Sequence, residues 1–214
     1  MLYARLNKLL TEEDWYRYMY LMPYESRLKI NRYQRREDRQ ARLFGRLLLL
    51  EGLKSFGYDY SNLNCISYNE FGRLFINDQV DFNISHSNEY VICSITNAGR
   101  VGVDIERIKP FDISEIDQYM TLKELEEIHT ASDSCREFYK YWTSKESILK
   151  ADGRGLSASL REMTLNLNKA IFQGQNWFLR QVNIDPDYSC HLATNLEAFD
   201  FQCKEIQFGG VNQE

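Results

Sequence analysis

A chain of 214 residues with 43% hydrophobic and 27% charged residues can bury a sizeable core, and reads as a soluble globular protein of one large domain or two small ones. No apolar run approaches a membrane span, and the stretch from Met1 to Leu10 lacks the apolar segment and cleavage site of a secretory leader. Five cysteines, at 65, 93, 135, 190 and 203, are odd in number and not spaced for a metal, so they read as reduced thiols in a cytoplasmic protein. The formal net charge of −5 hides a local reversal. Between residues 27 and 46 stand Arg27, Lys29, Arg32, Arg35, Arg36, Arg39, Arg42 and Arg46, opposed only by Glu37 and Asp38. A basic cluster on an acidic protein argues for a local anionic ligand rather than for general nucleic-acid affinity.

In chain order, residues 3–9 predict a short first strand. Thr11 followed by Glu12, Glu13 and Asp14 predicts a capped helix that runs to about Leu21 and stops before Pro23. Residues 25–56 predict helix with a break near Tyr33–Arg36. The apolar run from Ala41 to Leu53 marks its second part as a packed central helix, ended by Gly57. Residues 62–107 predict strands separated by turns: Leu74–Ile76, Val80–Ile84, Tyr90–Thr96 and Val101–Glu106, with a turn at Asn97-Ala98-Gly99 and His86 just beyond a strand. An acid-rich helical stretch follows over 113–129, then a polar break at Thr130–Ser134 and a second long helix that Gly153 ends. Strands are expected at Met163–Leu167, Trp177–Val182, Cys190–Ala193 and Glu205–Phe208. Asp185-Pro186-Asp187 marks a turn, and the tail from Gly209 is expected to be loose.

Two short pieces carry the chemistry. In Val101-Gly102-Val103-Asp104-Ile105-Glu106 the alternation puts Asp104 and Glu106 on one face, roughly 6–7 Å apart. Two acids so placed repel each other unless a positive charge joins them; a solvated polar face is the plain alternative. In the helix through Trp142-Thr143-Ser144-Lys145-Glu146-Ser147, the residues Phe138, Tyr141, Trp142, Ile148 and Leu149 form one stripe. Lys145 falls inside that stripe, where its ammonium must pair or reach out along its stem. Glu146 and Lys150 lie at i, i+4 on the flank, the spacing of an ordinary helix ion pair. Three carboxylates without neighbouring Cys or His suit a hard, oxygen-liganded cation, Mg²⁺ rather than zinc, and lysines beside such a centre suit a phosphate ester or pyrophosphate.

Gly102-Val103-Asp104-x-Glu106 and Trp142-Thr143-Ser144-Lys145-Glu146-Ser147-x-x-Lys150 resemble the two signature motifs of the 4′-phosphopantetheinyl transferases, in the larger surfactin-synthetase-activating (Sfp) type. Phe71-Gly72-Arg73 and Phe82-Asn83-Ile84-Ser85-His86-Ser87 match two further blocks in the same order, so that the likeness spans residues 71–156. Arg73 keeps the positive charge of the family's Gly-Lys-Pro block, with Leu74 in place of the proline.

The resemblance implies an α+β fold of two similar halves about a pseudo-twofold axis, residues 1–101 and 102–214, with the active site between them. It implies a Mg²⁺-dependent enzyme that moves the phosphopantetheine arm of coenzyme A to a serine of an apo acyl or peptidyl carrier protein. Asp104, Glu106 and Glu146 would be the metal ligands, and Glu146 and Lys150 the catalytic residues. Lys29, Arg42, Arg73, Ser85, His86, Lys145 and Lys150 would contact coenzyme A. A monomer is expected, with no nucleic-acid or membrane partner. Another Mg²⁺-dependent enzyme of pyrophosphate nucleotides, or a non-catalytic module that binds coenzyme A or a carrier protein, are the alternatives.

Overall fold

The computed structural model describes residues 1–77, 79–112, 116–155 and 160–209. Its first strand, β1 (Leu2–Arg5), is shorter than the sequence suggests. Thr11 then caps α1 (Glu12–Tyr20), its hydroxyl accepting from the Asp14 amide at 3.1 Å. After Pro23 come α2 (Tyr24–Asn31) and α3 (Arg36–Lys54). The expected break lies between these two, and α3 buries Leu43, Phe44, Leu47, Leu48, Leu49, Leu50 and Leu53. Residues 60–65 form a 3₁₀ turn and not a strand, because Asp59 accepts from the Ser61 amide while the Asn62 side chain accepts from the Asp59 amide. A two-stranded ribbon of β2 (Ser67–Tyr68) and β3 (Leu74–Phe75) follows. The hairpin of β4 (Asp81–Ser87) and β5 (Tyr90–Thr96) completes this half. His86 lies within β4, not beyond it.

β6 (Val101–Arg107) opens the second half. The acid-rich helix, α4, covers only Leu122–Thr130; of the stretch expected before it, residues 113–115 lie outside the described residues. α5 (Ser134–Asp152) is the motif helix, and Gly153 ends it at φ 83°, a conformation only glycine adopts without strain. The strands β7 (Thr164–Asn166), β8 (Lys169–Phe172), β9 (Gln175–Gln181) and β10 (Tyr188–Thr194) close a five-stranded sheet of order β6-β10-β9-β8-β7. Leu156, at the end of the motif block, and the tail residues 210–214 also lie outside the described residues.

The fold is α+β, and the connectivity repeats although the sequence does not. In the first half, β1 leads through α3 to the β4–β5 hairpin, and the strands pair in the order β1-β5-β4. In the second, β6 leads through α5 to the β9–β10 hairpin, in the order β6-β10-β9. All of these pairings are antiparallel. Each long helix covers its own sheet. The short strand β11 (Lys204–Glu205) then returns to pair in parallel with β1, and Phe208 packs on Tyr18 and Phe44 in the first half.

The halves meet along β4 and β6. Asp81 Oδ2 accepts from the Val101 amide (2.7 Å), Asn83 Oδ1 from the Val103 amide (3.0 Å) and Ser87 Oγ from the Arg107 amide (3.1 Å). The offset is constant, so the two strands run side by side in the same direction, with short polar side chains taking the place of backbone carbonyls. On its other face β6 carries Gly102, where α5 crosses so closely that a Cβ would stand 2.1 Å from the Ser147 carbonyl oxygen and 2.4 Å from the Ala151 nitrogen. His191 is buried where β10 meets α5, its Nδ1 2.7 Å from Thr143 Oγ1. Burial, then the charge of Lys140, pushes its pKa down to about 4.

Gly102→Ala should cost about 3 kcal/mol in urea unfolding, because both clashes are with backbone. His191 is held neutral, so its contribution is complete above the ordinary histidine pKa of about 6.5 and is lost as pH falls toward 4. Unfolding at pH 5 should show a loss of about 2 kcal/mol relative to pH 7.5 from this group, and His191→Gln should flatten that slope.

Candidate active site

A cleft of about 850 Å³ opens between α2 and α3 on one side and β6 and α5 on the other, with β4 along its floor. Its acidic end is built at the β4–β6 seam. Asp104, 2% exposed, accepts from Lys150 Nζ (2.5 Å) and Ser85 Oγ (2.9 Å) on the same oxygen, Oδ1, and Lys150 Nζ also donates to Ser85 Oγ (3.0 Å). Its second oxygen, Oδ2, is buried without a hydrogen-bond partner. Glu106 accepts from Ser87 Oγ at 2.8 Å. Burial, then the neighbouring Asp104 charge, pushes Glu106 up to about 7 against the opposing pull of Ser87 and Lys150. Glu146 lines the cleft and makes no hydrogen bond or ion pair among the described residues. Burial raises its pKa, Lys150 opposes this, and Asp104 adds to it. Burial works against the charged form of Lys150, yet Asp104, Glu146 and Glu106 outweigh it and hold the ammonium above its ordinary value. The i, i+4 pair expected of Glu146 and Lys150 is thus replaced by a helix-to-strand pair of Lys150 with Asp104.

Three carboxylates around one ammonium leave this end short of positive charge. The unpartnered Asp104 Oδ2, and the part of the Glu106 shift that Asp104 adds to burial, are the marks of that shortage, and an oxygen-liganded cation would relieve it. The chemistry of the donors therefore suits a hard divalent ion, although among the described residues no three acids are gathered into a site that could hold one as they stand.

The opposite wall is basic. Lys29 Nζ sits 3.9 Å from the centre of the Tyr68 ring, and the Arg42 guanidinium 4.9 Å from that of Tyr33. Arg46 reaches Tyr68 Oη at 3.4 Å, and its Nη1 is buried with no partner; burial lowers its pKa. None of the three forms an ion pair with a carboxylate among the described residues, so their charge faces the cleft unneutralised. His86 is exposed on the cleft wall beside them.

The cleft thus brings together Lys29, Arg42, Arg73, Ser85, His86, Glu106, Glu146 and Lys150, with Asp104 directly behind Ser85 and Lys150. Two of the residues expected to offer free charge do not. Lys145 lies outside the cleft: its side chain is 0% exposed, and its Nζ is held by Glu124 Oε2 (2.6 Å) and the Tyr119 carbonyl (3.1 Å). The part of the stripe before Lys145 packs beside α4, and the lysine pairs there as a buried ammonium must. Arg73 borders the cleft, but its two terminal nitrogens are taken up by Asp81 and by backbone carbonyls, and its Nε is buried. Sequence reasoning left Arg46 and Ser87 unassigned. Arg46 stands in the sequence as one basic residue among eight, and the link of Ser87 to Glu106 crosses between strands.

Two family models match the chain: the 4′-phosphopantetheinyl transferase superfamily over residues 100–203, and the 4′-phosphopantetheinyl transferase N-terminal family over residues 10–97. The chain is 31% identical over 170 residues to the 4′-phosphopantetheinyl transferase Sfp of Bacillus subtilis, covering 77% of this chain and 75% of the relative. It is 33% identical over 141 residues to the 4′-phosphopantetheinyl transferase gsp of Aneurinibacillus migulanus, covering 64% and 59%. A putative 4′-phosphopantetheinyl transferase of Haemophilus influenzae is 33% identical over 156 residues, covering 68% and 66%.

The Asp104–Lys150 pair gives a direct test. Lys150→Met should destabilise the fold by about 3 kcal/mol by stranding the buried carboxylate, and Asp104→Asn in the same chain should recover part of that loss in a urea double-mutant cycle.

Proposed function

Since the chain belongs to the 4′-phosphopantetheinyl transferase superfamily and is an enzyme of that kind, we propose that this cleft binds coenzyme A and passes its phosphopantetheine arm to a serine hydroxyl of an apo carrier protein. The observation that supports the reading is the polarity of the cleft: an acid cluster with one lysine at one end, and unpaired Lys29, Arg42 and Arg46 at the other. A nucleotide with a phosphate at one extremity and a pyrophosphate in its middle matches that distribution of charge.

Asp104, Glu106 and Glu146 would hold Mg²⁺, which supplies charge neutralisation on the pyrophosphate during transfer. Lys29, Arg42 and Arg46 hold the adenosine end, and their aromatic supports Tyr68 and Tyr33 fix where the charges point. His86 adds a polar contact on the same wall. Lys150, positioned by Asp104 and Ser85, neutralises charge on the phosphoryl oxygens and on the departing oxygen. Glu146 would meet the ion with one carboxylate oxygen and take the proton on the other, since it lines the cleft and neither oxygen is engaged by another residue among the described ones. The serine oxygen attacks the phosphorus that bears the pantetheine, and its proton passes to Glu146. The bond to the second phosphate breaks, and adenosine 3′,5′-bisphosphate departs. One chain carries both walls, which supports action as a monomer. Free Cys93 and Cys190, both buried, suit the reducing cytoplasm.

Intact-mass spectrometry of apo carrier proteins incubated with the protein and coenzyme A tests this. The expected result is a gain of one phosphopantetheine arm with Mg²⁺ and none with EDTA. Glu146→Gln and Asp104→Ala should each reduce the rate by about a hundredfold or more while circular dichroism stays unchanged. Full activity of either variant would overturn the site assignment.

A further inference from the structure

The candidate catalytic groups stand on three separate elements: Ser85 and His86 on β4, Asp104 and Glu106 on β6, and Glu146 and Lys150 on α5. One guanidinium touches all three. Arg73 Nη1 donates to the carbonyls of Lys150 (2.6 Å) and Ala151 (2.5 Å), among the last of α5. Its Nη2 donates to Asp81 Oδ2 (2.7 Å) and the Phe82 carbonyl (3.2 Å) on β4, and to the Val101 carbonyl (2.9 Å) at the start of β6. The Arg73 side chain is 8% exposed.

The loop that presents it is itself braced. Asn69 Oδ1 accepts from the Arg73 amide (2.8 Å), the Asn69 amide donates to the Arg73 carbonyl (2.9 Å), and Asn69 Nδ2 donates to the Gly153 carbonyl (3.0 Å). Gly153 leaves room for this arrangement, since a Cβ there would stand 2.9 Å from Arg73 Cδ. A planar fork of five donors can serve several carbonyls at fixed angles; a single ammonium on a flexible stem cannot.

We propose that Arg73 is a positioning residue for the transfer reaction rather than a coenzyme A ligand: it sets the separation of β4, β6 and α5, and through them the placement of Lys150 against Asp104 and of Glu146 against the cleft. The inference rests on the transferase reading of the same cleft. It assigns to the arginine a role that its charge alone would not reveal, because both terminal nitrogens are committed to Asp81 and to backbone carbonyls, and only the buried Nε is left without a partner.

The test compares Arg73→Lys, which keeps the charge but loses the fork, with wild type, using one apo carrier protein and varied coenzyme A. The expected result is a kcat lowered about tenfold or more with KM for coenzyme A changed less than about threefold. Asp81→Asn, which alters a partner of Arg73 that does not line the cleft, should move kcat in the same direction. Arg73→Ala should recover part of its lost kcat when millimolar guanidinium ion is added. A ligand role predicts the reverse: kcat kept in Arg73→Lys, and KM raised in Arg73→Ala. That pattern would overturn the proposal. Hydrogen exchange provides a readout independent of activity. Peptides spanning residues 81–87, 101–107 and 146–155 should all exchange faster in Arg73→Lys, and unchanged exchange would sink the positioning role. Failure of wild type to modify any carrier protein, with the exchange result intact, would instead overturn the transferase reading.

Discussion

The structure depends on how two sheet edges are joined. β4 and β6 are each the last strand of their own sheet, and an edge strand carries a row of backbone amides with no carbonyl to receive them. Here the amides of Val101, Val103 and Arg107 find Asp81, Asn83 and Ser87 instead. Alternate residues of β4 therefore have to be short and polar, since each must reach one strand over and no further. The same alternation presents Ser85 to Asp104, so the seam that joins the halves also builds the acidic end of the cleft.

That placement explains the electrostatics. A seam between two sheets is shielded from water, so Asp104 is almost fully buried and its charge is felt by every neighbour. Lys150 answers it from α5, and the close approach of that helix is possible only because position 102 has no side chain. Glycine, aspartate and lysine in the two motifs are thus one packing solution: remove the glycine and the helix retreats, taking the ammonium away from the carboxylate.

Much of this could be read from the sequence where the determinants are local. The Thr11 cap, the break before Arg36, the Gly153 stop and the alternation of Val101–Glu106 each depend on neighbours within a turn or two, and each stands as expected. What escaped is long-range. β8 is a short strand whose register is supplied by β9; the 3₁₀ turn at 60–65, fixed by the side chains of Asp59 and Asn62, is a local exception. Lys145 could be seen to need a partner, but Glu124 lies 21 residues away on another helix. The use made of Arg73 depends on carbonyls from three elements, which carry no signature in the residue types that bear them. Arg46 is hidden among its seven basic neighbours; only folding separates the arginines that face solvent from those that line the cleft.

The return of the chain to its first strand has a consequence for biosynthesis. The Met1 amine donates to the Gln202 carbonyl, 201 residues away, and β11 and Phe208 cover a side of the first half that nothing earlier in the sequence supplies. During synthesis the outer edge of β1 therefore stays open until nearly the whole second half has left the ribosome. Closing so long a loop adds little to the equilibrium cost, which grows only with the logarithm of length, but it places the closure late in time. The nascent first half is thus a species with an unprotected strand edge, and the interval before closure is when this chain is most open to pairing with another.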